Sequence, residues 1–96
     1  MKTIPLRPLT GPFAENKDIA RMIRLEMITP ALSEDGEVIL DFSGIEGATQ
    51  SFVHALISEL FRQHGSQILD RIRFRDCNST LQEVITIVTE YMQEAE

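Results

Sequence analysis

Residues 37–56, EVILDFSGIEGATQSFVHAL, decide the fold. The segment starts apolar, passes through glycines and hydroxyl residues, and ends in a helical pattern. Val38, Ile39 and Leu40 run continuously apolar, as a strand covered on both faces would. This reads as a strand over residues 37–42, closed by SGIEG. Phe52, Val53, Leu56, Ile57, Leu60 and Phe61 then repeat at i, i+1, i+4, i+5, i+8 and i+9, while Glu59, Arg62 and Gln63 face away. The pattern predicts a helix over residues 51–64, and Gly65 supplies its stop. Thr49, Gln50 and Ser51 sit at the junction where the strand hands over to the helix.

Upstream, SEDG (33–36) reads as a turn. A helix is expected from Asn16 or Lys17 to about Thr29, with Ile19, Met22, Ile23 and Met27 on one stripe. Asn16 and Asp18 suit its N-cap and first turn. Pro30 should end or kink it, because proline lacks a backbone donor and clashes with the preceding turn. Leu25 and Ile28 fall off the stripe. A neighbouring element would bury them, or they would form a self-association face, so a homo-oligomer stays open. Residues 3–9, TIPLRPL, favour extended structure, but Pro5 and Pro8 restrict them to an edge strand or an arm, and residues 1–14 are read that way.

Downstream, RIRFRDC (71–77) alternates, with Arg71, Arg73 and Arg75 on one side and Ile72 and Phe74 on the other. That is a strand with one polar face. Thr80 and Glu83 have the spacing of a capping box. Leu81, Val84, Ile85, Val88, Tyr91 and Met92 form the stripe of a last helix to about residue 93, and residues 94–96 are expected to fray. The order β-α-β-α-β-α implies a single small α/β domain over residues 1–96, its mixed or mostly parallel sheet packed by helices through right-handed crossovers. In such a sheet, ligands and partners meet the loops at the carboxyl ends of the strands. FSGIEGATQS (42–51) is such a loop.

The composition narrows the function classes. The chain has 96 residues, a net charge of −6 and an estimated pI of about 4.8. Nucleic acid needs a dense basic surface and is not expected as the main partner. The three arginines of 71–75 read as a solvated face that blocks edge pairing. Cys77 is the only cysteine, so no internal disulfide forms and a reducing, cytoplasmic setting is expected. Beside an aspartate at a strand end, Cys77 reads as a small core residue, not a reactive thiol. No stretch of about 18 apolar residues occurs, so no membrane span is expected, and the N-terminus does not read as a secretory signal.

The chemistry concentrates in the central loop. Ser51 and Thr49 compete for the helix N-cap, where a hydroxyl accepting from a first-turn N–H is typically worth about 1 kcal/mol. The same free N–H groups and the helix dipole suit an anion, and a phosphate on Ser51 would be tolerated there. The candidate binding set is Asp41, Ser43, Gly47, Thr49, Gln50, Ser51 and His54, with Ser51 the phosphoacceptor candidate and Thr49 its alternative. Asp41 would accept from loop N–H groups or contribute to an ion site. His54 and His64 have no ligand partners at metal spacing and read as surface residues. Nothing orients a base toward Ser51 as a triad requires. No catalysis, metal or cofactor is expected.

EVILDFSGIEGATQSFVHAL also resembles the centre of a STAS domain, the fold of sulfate-transporter tails and anti-sigma-factor antagonists. Those proteins run strand, LDLS, short loop, then Asp-Ser-Ser-Gly at a helix start. Matching Leu40-Asp41 to the strand end places Thr49 at the acidic position and Ser51 on the phosphorylatable serine. The pattern V-x-LDF-S-G-I … T-x-SF, followed by an amphipathic helix and IRF, is closer still to a small bacterial STAS-like family of unassigned function. The resemblance spans roughly residues 15–92. It implies a regulatory protein-interaction module, a partner switch controlled at Ser51, and a histidine-kinase-like ATPase or anti-sigma-type regulator as partner. Here Thr49-Gln50-Ser51-Phe52 replaces Asp-Ser-Ser-Gly, removing a charge and adding bulk, so fold and partner type transfer further than phosphorylation does. The alternative is a small-anion or nucleotide sensor that uses the start of the second helix without covalent modification.

Overall fold

A computed structural model describes residues 2–94. Its centre is β3, Val38–Asp41, paired in parallel with β1, Lys2–Pro5, on one side and β5, Ile72–Arg75, on the other. The register aligns Ile4 with Leu40 and Phe74, and Thr3 with Ile39 and Arg73. Alternation along a strand sends these two rows to opposite faces. Val38 and Leu40 are fully buried, as are Ile4 and Ile72 to within a few per cent, whereas Ile39 is only half-buried and Arg73 is exposed. The sheet is therefore covered on one face, not on both as the Val38-Ile39-Leu40 run suggested. The strand order β1-β3-β5 advances in one direction, and crossovers of one hand then place their helices on the same side.

β1 is an edge strand, but the chain does not stay extended beyond Pro5. Leu6 is fully buried and donates its N–H to the Asp41 carbonyl at 3.0 Å. A short helix α1, Arg7–Thr10, follows, and Pro8 lies in its first turn, where no amide donor is needed. β2, Phe13–Ala14, then pairs in parallel with β4, Gly47–Ala48, in a second two-stranded sheet. Two-residue strands carry no alternation to read, so the sequence did not reveal them.

α2, Lys17–Ile23, is capped by Asn16, whose side chain accepts from the Asp18 and Ile19 amides at 2.8 and 3.2 Å. Pro30 does not end this helix. The chain runs through a π-helical segment, Arg24–Ile28, into α3, Thr29–Asp35. In the π segment the Thr29 N–H reaches back five residues to the Arg24 carbonyl. That wider turn delivers Pro30 to the first turn of a new α-helical register, where its missing donor costs little. Ser33, Glu34 and Asp35 are consequently helical instead of a turn, and the stop falls on Gly36 in the left-handed conformation (φ 78°). Of the two off-stripe residues, Ile28 is fully buried and Leu25 is 52% exposed.

α4, Gln50–His64, buries Phe52, Val53, Leu56, Ile57, Leu60 and Phe61, the six residues of its apolar stripe. A 3-10 turn, Ser66–Asp70, leads into β5. α5, Ser79–Glu94, buries Leu81, Ile85, Val88 and Met92, but leaves Tyr91 at 64% exposure. Its cap is Asn78, whose Oδ1 accepts from the Leu81 N–H at 2.8 Å. Thr80 lies inside the helix, so the expected Thr80–Glu83 capping box does not form. The expected fraying of 94–96 lies largely outside the described residues. α4 packs between α2 and α5 and carries the centre of the helical layer.

Candidate functional site

Two separate groups of the predicted site residues emerge. The first closes the carboxyl ends of β3 and β5. Asp41 Oδ1 accepts from the Ser43 N–H at 3.0 Å and from its hydroxyl at 2.5 Å, and Oδ2 accepts from an Arg75 amino group at 3.1 Å. These bonds, those from Ser43 foremost, hold the Asp41 carboxyl below the usual range against the opposing effect of burial. The Ser43 oxygen also lies 2.8 Å from Asp76 Oδ2, so one hydroxyl hydrogen serves two carboxylates in turn. Arg75 sits 3.8 Å from the same Asp76 oxygen. The whole arrangement is satisfied internally and ties two strand ends together.

Two arginines of the expected solvated face are thus engaged. Arg75 pairs with Asp41, and half-buried Arg71 donates to the carbonyls of Gly36 and Leu32 at 2.6 and 2.9 Å, finishing the C-terminus of α3. Arg73 alone stays on an open strand face. Cys77 is half-buried against the core, and burial, followed by the charges of Asp76 and Asp41, pushes its thiol up, away from thiolate chemistry. Gly47 serves packing: a Cβ there would stand 2.9 Å from the Phe13 ring.

The second group forms at the start of α4. Thr49 is the N-cap, extended at φ −81° and ψ 156°, with its hydroxyl accepting from the Phe52 N–H at 3.1 Å. The Thr49 N–H in turn donates to the Ala14 carbonyl at 3.0 Å, so the β2–β4 pairing fixes where the helix begins. Ser51 is therefore not the cap. It is exposed in the first turn, and its hydroxyl makes no hydrogen bond among the described residues.

Ser51 lines a groove of about 410 Å³. α4 contributes Gln50, Ser51, His54 and Ala55; α5 contributes Ile87, Val88 and Tyr91; Lys17 stands at the entry to α2. Of the predicted set, Gln50, Ser51 and His54 meet here, whereas Asp41, Ser43, Gly47 and Thr49 do not line it. Lys17, Ile87 and Tyr91 were missed. Lys17 and Tyr91 lie far from Ser51 in sequence, and Ile87 falls off the α5 stripe. The only available signal was Tyr91, a polar-tipped aromatic placed on an otherwise aliphatic stripe. No group of three potential metal ligands occurs among the described residues, and no helix among them is long and apolar enough to cross a membrane.

A one-sided parallel sheet and a central helix entered through a Thr-x-Ser junction describe a small α/β domain. The family model for the STAS-like domain of unknown function matches residues 20–82, and the chain belongs to that family. The α5 wall of the groove, Ile87 to Tyr91, lies beyond the matched segment. No curated protein and no solved structure shows a significant match.

Proposed function

We propose that this protein is a non-catalytic regulatory module that docks another protein over the start of α4, with Ser51 as the switch. One observation carries the reading. Thr49 holds the helix cap, so the Ser51 hydroxyl has no structural duty and stands exposed at the lip of a groove. Its position at the positive end of a 15-residue helix, with Lys17 on the same groove, suits an added phosphate. A phosphate brings about −1.5 to −2 charges. The helix start tolerates that charge, while a partner that buries the groove would have to desolvate it. The partner class, a histidine-kinase-like ATPase or an anti-sigma-type regulator acting in the cytoplasm, follows from the resemblance to anti-sigma-factor antagonists.

The test is a quantitative pull-down from the native cell with wild type, Ser51→Ala and Ser51→Asp as baits, read by mass spectrometry. A kinase-like or regulator partner should be held by the wild type and by alanine and lost by aspartate. Equal partner sets on all three baits would reject the switch.

A further inference from the structure

Among the described residues β5 pairs with β3 alone, so it forms one edge of the sheet. The Arg71 and Arg75 carbonyls accept from the Val38 and Phe42 amides, at 2.9 Å each. The odd-numbered residues of this segment therefore turn their backbone groups toward β3, and Ile72 and Phe74 turn theirs outward. Among the described residues no hydrogen bond reaches the amide or carbonyl of either. The opposite edge is poorer in free groups. Leu6 donates to β3, so Thr3 and Pro5 face outward from β1, and Pro5 has no N–H to give.

Burial along the inner face of the sheet stops at the same edge. Ile4 and Leu40 are buried, but Phe74, aligned with them, is only half-buried. Beside it lies a hollow of about 370 Å³ between β5 and α5, lined on the helix side by Gln82, Ile85 and Thr86. The core is thus open where the next strand of the sheet, about 4.8 Å further on, would place a side chain. On the other face of β5, Arg73 is exposed and forms no ion pair among the described residues, whereas Arg75 is engaged with Asp41. Asp70 and Asp76 flank the strand, so only its middle favours a carboxylate.

Unpaired backbone donors and acceptors on alternate residues are matched by an extended strand, not by a helix or a small molecule. A second copy does not supply that strand well. Two β5 strands related by a two-fold axis set residues of one face opposite each other. Every register that pairs the outward groups of Ile72 and Phe74 then opposes Arg73 to Arg71, Arg73 or Arg75 of the other copy, and like charges so placed repel. We infer that β5 accepts an extended segment of another protein as a fourth strand, with one apolar side chain in the hollow beside Phe74 and a carboxylate one position away beside Arg73. This surface shares no residue with the groove at Ser51 and is independent of the switch.

The test selects binders to the immobilised full chain from a displayed library of short linear peptides and locates them by amide hydrogen exchange. Enriched sequences should set an apolar residue next to Asp or Glu, and binding should slow exchange at Ile72 and Phe74. A scan of single backbone N-methyl groups along a selected peptide should weaken binding about tenfold at every second position and spare the positions between. Arg73→Glu, at an exposed position, should turn the acidic preference of the selection into a basic one. Thr86→Phe, which fills the hollow from an exposed position on α5, should weaken binding about tenfold. Unchanged spectra elsewhere in each variant establish that it is folded. No enrichment, protection at other residues, N-methyl losses without alternation, or an acidic preference that survives Arg73→Glu would overturn the inference. So would exchange at Ile72 and Phe74 that slows with protein concentration in the absence of peptide, which would make a second copy the occupant.

Discussion

Thr49 and Ser51 are two residues apart, both hydroxylic, and both plausible as caps when only the local sequence is considered. The choice is made from far away: the Thr49 N–H bonds to Ala14, thirty-five positions earlier, and keeps Thr49 extended so that the helix starts after it. No local signal encodes that contact, which is why the start of the helix was legible to within a residue and the choice between its two hydroxyls was not. The two residues should separate cleanly in urea denaturation. Thr49→Ala is expected to cost about 1 kcal/mol, and Ser51→Ala to stay within about 0.5 kcal/mol, as for a surface residue without a partner. Equal losses would return Ser51 to a structural role. Asp41 gives a pH-dependent prediction. Its folded pKa is lowered, so its contribution is complete above the ordinary carboxylate value near pH 4 and is lost as pH falls through the lower folded value. Asp41→Asn should flatten the acid limb of the stability profile in that window. A wild-type profile that is already flat there would contradict the hydrogen-bonded carboxylate.

At the scale of elements, the long stripes of α4 and α5 were readable because each repeats over three or more turns. Their six and four buried residues are all members of the expected patterns. What escaped reading were two-residue strands and a change of helix class at Pro30. The π segment Arg24–Ile28 allows one continuous helical run from Lys17 to Asp35 to pass a proline, and its end is held by a tertiary contact, not by sequence-local capping alone. Arg71 provides that contact, its fork spanning the Leu32 and Gly36 carbonyls from the entrance to β5. Hydrogen bonds from a charged group contribute about 1.5–3 kcal/mol each. Partial exposure and the flexibility of the side chain reduce that here, so Arg71→Met is expected to cost roughly 1–3 kcal/mol. Arg71→Lys should recover only part, since an ammonium cannot reproduce the planar two-carbonyl geometry. The effect should appear in hydrogen exchange as faster opening of α3 relative to α4. A uniform loss of protection across both helices would place Arg71 in the global core instead.

For the whole molecule, the apolar run Val38-Ile39-Leu40 correctly marked the central parallel strand and misjudged its surroundings. A continuous run signals burial on both faces only when crossovers pass over both, and the one-directional order β1-β3-β5 sends them all to one side. Ile39 is then left in a row with Thr3 and Arg73 on the open face, while Leu40 belongs, with Phe52, to the hydrophobic core. This asymmetry predicts unequal costs for neighbouring truncations in one strand. Leu40→Ala should lose about 2–5 kcal/mol, the range for a buried aliphatic side chain that leaves a cavity. Ile39→Ala leaves no enclosed void and should lose no more than roughly 1–2 kcal/mol of partial burial. Both are measurable by denaturant unfolding at low protein concentration. Equal losses would mean that the open face is covered in solution. Repeating the measurement across a hundredfold range of protein concentration would then distinguish the two sources of cover: a second copy makes the Ile39→Ala cost grow with concentration, whereas packing within one chain leaves it constant.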